Sequence, residues 1–344
     1  MTTERHEQLA DQAYGFRHVI RRALLLGLPF VAQAAFLAPD FGAGDEGAVP
    51  LGRWLLIVLC GGIALALILA LPLAVAVGRP ADARELRWSA TVVGLPWAVA
   101  LVFVALRFEL ATIPYAAFIA VIALSALLPV RREGQGSPGL RSLTLPQAVA
   151  RSALLLSPIG AVWFVMDALG IAPLGFSPLV VRLTAIHFHY AAFIVPVLAA
   201  VIAAAYPSAL SRTAAVVSVL GAPSTAIGIT AAQLGAPHWV ETLFALPMVA
   251  GALLVGAVHL GLALGAEGKG SPPPVRVLRL VVGATLLGTM GLAATYAGRG
   301  WLPWAPTIPQ MALWHGIGNA VGVAFCGLLA CWLDPAGKAA SEGA

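Results

Sequence analysis

Ten apolar runs, each long enough to cross a bilayer, follow one another along the chain: residues 19–38, 54–78, 88–106, 112–130, 148–169, 178–206, 212–234, 239–265, 276–298 and 307–332. A hydrocarbon core of about 30 Å takes roughly 20 helical residues to span. Backbone placed there has to satisfy its own N–H and C=O groups, so runs of this kind become α-helices. Charged residues are only 10% of the sequence and hydrophobic ones 60%, whereas soluble domains carry about 25% charge. Polar surface is too scarce to coat a soluble particle. The fold class expected is all-α, a polytopic transmembrane helix bundle of about ten spans whose partner is the lipid bilayer.

Lys and Arg number 20 in the chain. With a cytoplasmic amino terminus, only Arg53, Arg107, Arg182 and Arg299 fall at the outer ends of spans, and the rest collect on the inner side. This positive-inside asymmetry predicts that both termini are cytoplasmic. The net charge of +5 forms no basic stripe interleaved with aromatics, so no nucleic acid is expected as a partner. The first span ends in Ala32-Gln33-Ala34, which looks like a signal-peptide cleavage site. Its long charged leader and the apolar run through Leu37 favour an uncleaved span.

Two Gly, Ser and Pro-rich connections, Gly134–Pro146 and Gly268–Pro274, read as flexible hinges. The first divides the chain into residues 1–140, with about four spans, and residues 141–344, with about six. Five plus five helices is the arithmetic of an inverted-repeat transporter. The internal likeness present is Tyr115-Ala-Ala-Phe-Ile against Tyr190-Ala-Ala-Phe-Ile, in spans of the same direction. In an alanine-rich chain it reads as coincidence. Cys60, Cys326 and Cys331 sit inside apolar runs without metal-type spacing and read as small buried hydrophobes.

Ionisable groups at mid-bilayer cost roughly 2.5–3.5 kcal/mol on insertion scales, so those present need partners or water. The sixth span carries Arg182, Thr184, His187, His189 and Tyr190; the tenth carries His315 and Asn319. At about 1.5 Å per residue the two groups share a level, nearer the outer face. Thr184, His187 and Tyr190 fall on one helix face, and Arg182, Ile186 and His189 on another. His315, Asn319, Gly322 and Cys326 form one stripe. A metal held by His187, His189 and His315 would need local unwinding, because the first two point apart on a regular helix. Neither a metal nor another cofactor is expected.

Asp167 ends the fifth span and Arg182 begins the sixth, an arrangement that suits an ion pair or the mouth of a polar cavity. His259 stands alone in an apolar stretch and reads as a structural histidine. Arg107, Glu109, His238 and Glu241 belong to outer loops, and Trp239, Trp301 and Trp304 to an interfacial aromatic belt. Walker, dinucleotide, HExxH and GxSxG signatures are absent.

The string Leu183-Thr184-Ala185-Ile186-His187-Phe188-His189-Tyr190-Ala191, with His315-Gly316, Asn319-Ala320 and Gly322, resembles the YndJ-like family of bacterial polytopic membrane proteins. The likeness is concentrated in residues 145–335. It implies a multi-span protein of the bacterial cytoplasmic membrane, of a kind often described as a transporter. The functional expectation is movement of a small solute or proton through an outward-opening cavity. His187, His189, Tyr190, Thr184, His315 and Asn319 would line it, with Asp167 and Arg182 at its mouth. The rival expectation is an intramembrane enzyme using His and Asp as acid and base on a lipid or isoprenoid. A homo-oligomer is compatible with either.

Overall fold

The computed structural model describes residues 53–78, 112–127 and 143–336. The expected spans at 19–38 and 88–106, the Ala32-Gln33-Ala34 segment, Arg107 and Glu109 lie outside the described residues, as does most of the connection before Pro146. Six helices are long and apolar enough to cross a membrane. They are α3 (Leu145–Ala168), α4 (Pro178–Ala205), α5 (Ala209–Gln233), α6 (His238–Leu264), α7 (Pro273–Ala297) and α8 (Ile308–Leu333). Ahead of them come the apolar helices α1 (Arg53–Gly78) and α2 (Thr112–Ser125). No strand occurs among the described residues.

Caps written into the sequence set the helix starts. The Thr144 hydroxyl accepts from the Gln147 N–H while the Gln147 side chain accepts from the Thr144 N–H. Thr307 and Gln310 repeat this box at α8, and Ser177 caps α4 ahead of Pro178. Each cap satisfies donors that the first helical turn leaves open. Turns between spans use Gly170 and Gly235, whose φ values of 66° and 95° favour glycine.

α4 is the central helix. From Phe188 to Ala203 every residue except Val195 is buried, as expected of a helix apolar all round. It touches α1, α3, α5 and α8. α5, α6 and α7 pack side by side in chain order. A Cβ added to Gly221 would lie 2.7 Å from Met248 Cα, and one on Gly251 3.0 Å from the Ser218 backbone, so small residues set the close α5–α6 approach. Leu220, Ile227, Leu246, Val277 and Leu287 are exposed on the outer faces of this row, where lipid would cover them.

The helices alternate in direction. Asp167, Arg182, Leu234 and Arg299 lie at one end of the bundle, and Tyr206, Ser271 and Asp334 at the other. Arg151, buried near the start of α3, holds the second end together. Its Nε donates to the Gly78 carbonyl (3.0 Å) and its Nη1 to the Ala126 carbonyl (3.1 Å), a cation set on the carboxyl ends of α1 and α2.

Two sequence expectations change. The Gly268–Pro274 connection is pinned rather than hinge-like: Glu267–Gly270 forms a 3-10 turn, Gly268 is buried, and Ser271 is hydrogen-bonded to Arg279. His238 and Glu241 are helical, in the first turn of α6, which starts after Pro237, one residue ahead of the hydropathy boundary at 239.

Both spans that carry the polar motifs depart from regular α geometry. α4 is π-helical over Phe188–Ile194, and α8 over Met311–Gly316 and Gly318–Phe325. In α4 the cause is Pro196, which has no N–H for the carbonyl four residues back. The turn before it widens, and the Val195 N–H bonds the Tyr190 carbonyl five residues back. In α8, Gly316, Gly318 and Gly322 weaken the α preference. Wide turns of this kind recur at functional sites.

Candidate functional site

His315 and its neighbours on α7 and α8 form a closed polar ring. The Thr289 carbonyl can only accept, so the Nδ1 of His315 (3.0 Å away) carries the proton. Nε2 of the neutral ring then accepts from Asn319 Nδ2 at 3.2 Å, and Asn319 Oδ1 accepts from the Thr289 hydroxyl at 2.9 Å. One residue, Thr289, thereby fixes the tautomer of His315 and the orientation of the Asn319 amide. Close approach of α7 makes this reachable: a Cβ on Gly318 would lie 2.9 Å from Thr289 Cγ2, and one on Gly322 2.4 Å from Thr285 Oγ1.

His187 faces this ring from α4. The π segments that follow His187 and His315 touch. Nε2 of His187 is buried and, among the described residues, none hydrogen-bonds it. Leaving a buried polar atom unsatisfied costs about 1–3 kcal/mol, so this nitrogen stands out beside the satisfied ring of His315. Tyr190 lies on the same side of α4, its hydroxyl 2.5 Å from where a Cβ on Gly62 of α1 would be. Ala320 of α8 is also in reach of that position.

His189 points the other way. Its Nδ1 donates to the Ala185 carbonyl at 2.7 Å, and Nε2 accepts from the Tyr115 hydroxyl of α2 at 2.5 Å. The ring is 1% exposed, lies flat beside the Tyr115 ring, and fills the notch left by Gly160 of α3. The expected cavity floor is therefore divided: His187 faces α8, and His189 faces α2 and α3. No group of three His, Cys, Asp or Glu among the described residues could hold a metal. The widened turn of α4 does not bring His187, His189 and His315 onto one point.

Thr184 hydrogen-bonds the Val180 carbonyl of its own helix at 2.8 Å. The Nε of Arg182 donates to both carboxylate oxygens of Asp167, at 3.2 and 2.9 Å. This partly exposed pair closes the α3–α4 hairpin. At the same end Glu241 accepts from Arg299 with both oxygens, at 2.9 and 2.7 Å. The guanidinium of Arg299 rests 4.4 Å over the Tyr296 ring. Trp239, Trp301 and Trp304 are exposed nearby, as an interfacial belt requires.

A second polar group lies at the opposite end of the bundle. Arg279 of α7 and Asp334, just after α8, form a salt bridge and are 3% and 2% exposed. Tyr206 donates to Asp334 at 2.8 Å, its ring lies 4.7 Å beneath the Arg279 guanidinium, and Ser271 accepts from Arg279 at 3.2 Å. From the sequence Arg279 counts only among the basic residues on the inner side. Its signal was the Arg279 and Asp334 charges one to two turns inside, or at the edge of, apolar runs. His259 is beside them, 0% exposed. A structural histidine is expected to be hydrogen-bonded across helices, but among the described residues neither of its nitrogens has a partner; the facing helices offer it Arg279, Cys331 and apolar side chains instead. Tyr115 and Thr289 were also missed. The first had a signal in the repeated Tyr-Ala-Ala-Phe-Ile string, the second none beyond being a hydroxyl in an apolar run.

Six membrane-length apolar helices, one of them buried at the centre of the others, make this a polytopic helical membrane protein in architecture. The chain belongs to the YndJ-like protein family, whose sequence profile matches residues 56–323. The match begins within α1, so the likeness is not confined to residues 145–335. No curated protein and no solved structure matches the chain.

Proposed function

We propose that this protein moves a proton, alone or with a small solute, across the cytoplasmic membrane, with the Asp167 end facing outward. The observation that carries this reading is the buried Nε2 of His187, which none of the described residues bonds, set opposite a His315 whose tautomer is fixed by Thr289 and Asn319. Histidine exchanges protons near neutral pH without help. Here one imidazole has a free site and the other is held ready to donate or accept. Protonation of His315 at Nε2 would oppose two donors, and rotation of the Asn319 amide by half a turn would relieve it. Oδ1 would then accept from His315, and Nδ2 would donate to the Thr289 hydroxyl. The ring can thus hold either protonation state with every bond kept. Asp167 and Arg182 form the outer threshold of the path, and the wide turns of α4 and α8 give the two spans room to shift.

The test uses purified protein in vesicles loaded with the pH dye pyranine, with a potassium diffusion potential set by valinomycin. Wild-type vesicles should acidify faster than protein-free ones. His187→Gln and His315→Gln should lose that excess, while His238→Gln, at the outer end of α6, should keep it. Equal rates in wild-type and protein-free vesicles, or full rates in both variants, would overturn the reading.

A further inference from the structure

We infer that the Asp334 end of the bundle holds a second proton-binding site, a small cavity in which water joins His259 to the Arg279–Asp334 pair. Its role as an inner station rests on the proton reading above, whereas its existence does not. A cavity is present there, lined by His259 of α6, Arg279 of α7, Tyr206 after α4, and Cys331 and Asp334 of the last span, with Ala330 closing one side. A neutral imidazole has one donor and one acceptor, and both nitrogens of His259 are fully buried with none of the described residues bonding either. Buried polar atoms of this kind are satisfied by water when they border a polar space. Asp334 is the acceptor on the far side. Its Oδ2 takes bonds from Arg279 and Tyr206, and its Oδ1 one from the Ala336 N–H. A carboxylate has about four lone-pair sites, which leaves room for one more donor.

Around His259 stand the Arg279–Asp334 salt bridge with Tyr206 and Cys331, and Arg276 turns away to the Ala263 carbonyl at 2.9 Å. Arg212, Glu267 and Lys269 are exposed at the same end. Water in the cavity delivers a proton to one ring nitrogen of His259, the other nitrogen keeps its hydrogen, and the Asp334 carboxylate lines the same cavity. Release reverses the step. His259 lies five residues from the end of α6, about 8 Å inside it, a depth that a short water file can reach.

The test reads the site directly and needs no transport. Protein labelled with nitrogen-15 histidine is placed in lipid nanodiscs, and water-edited solid-state NMR is recorded from about pH 5 to about pH 8. The His259 ring should show a water cross-peak and change protonation state within that range. Ala330→Val should fill the cavity and remove the cross-peak, and the Arg279–Asp334 pair should keep the variant folded. A dry His259 in wild-type protein, or one neutral tautomer throughout, overturns the inference even if the vesicles move protons. A wet, titrating His259 in protein without flux upholds the site and overturns the transport reading.

Discussion

Two histidines separated by one residue have opposite fates because an α-helix turns adjacent side chains to different neighbours. His189 enters a pocket made by the absence of a side chain at Gly160 and receives the Tyr115 hydroxyl; His187 meets the second polar span. Tyr115→Phe removes the donor and leaves packing otherwise intact. An interhelical hydrogen bond in a bilayer averages about 0.6 kcal/mol, but a buried nitrogen deprived of its donor costs about 1–3 kcal/mol. The larger figure should govern, since water does not reach a ring that is 1% exposed. Gly160→Ala attacks the same contact from the other side, placing a methyl 2.7 Å from His189 Nδ1, and overpacking of this kind costs about 1–3 kcal/mol. Reversible unfolding in mixed micelles should show both losses, and proton flux through His187 should fall less than stability does. Unchanged stability in both variants would mean that His189 is not held as described.

At the scale of helices, the lengths and order of the spans were legible and the geometry inside two of them was not. Hydropathy placed α3 to α8 within a few residues because lipid imposes a single length on every span. It gave the faces of α4 as well: His187 and Tyr190 on one side, His189 on the other. It could not give the π segments, whose causes are a proline in α4 and glycines in α8 acting with their neighbours. Nor could it show that Thr289 of α7 supplies both a carbonyl and a hydroxyl to the polar ring, since nothing in an apolar run singles out one threonine. Gly322 carries a sharper test of that α7–α8 contact. Gly322→Ala should push a methyl into Thr285, 2.4 Å from its Oγ1, and destabilise the protein by about 1–3 kcal/mol. Thr285→Ala alone should cost little, and combined with Gly322→Ala should recover most of the loss. A double-mutant cycle measures this coupling, and additive effects would place the two residues apart.

Across the whole bundle, the two polar groups stand at different depths with buried apolar side chains, Val282 and Leu198, between them. Thr289 holds His315 and Arg279 holds Asp334, and ten residues of α7 separate the two, about 15 Å of regular helix. Val282 of α7 and Leu198 of α4, both 0% exposed, meet over Gly327 of α8 within that interval. A proton cannot cross such a layer without water or a polar side chain, because an unpaired charge in an apolar interior is strongly disfavoured. On the proposed reading this arrangement is a closed state, with the layer of Val282 and Leu198 lying between the two polar groups. Opening requires α7 or α8 to shift, and the glycines and wide turns of α8 make it the more deformable of the two. Val282→Ser puts a hydroxyl in the seal without adding bulk. Vesicles carrying this variant should leak protons faster than wild type at equal protein content, and adding His187→Gln should slow the leak again because the outer station still feeds it. A Val282→Ser rate equal to wild type would show that the layer is not what blocks the path, and a leak indifferent to His187 would show that protons reach Val282 by another way.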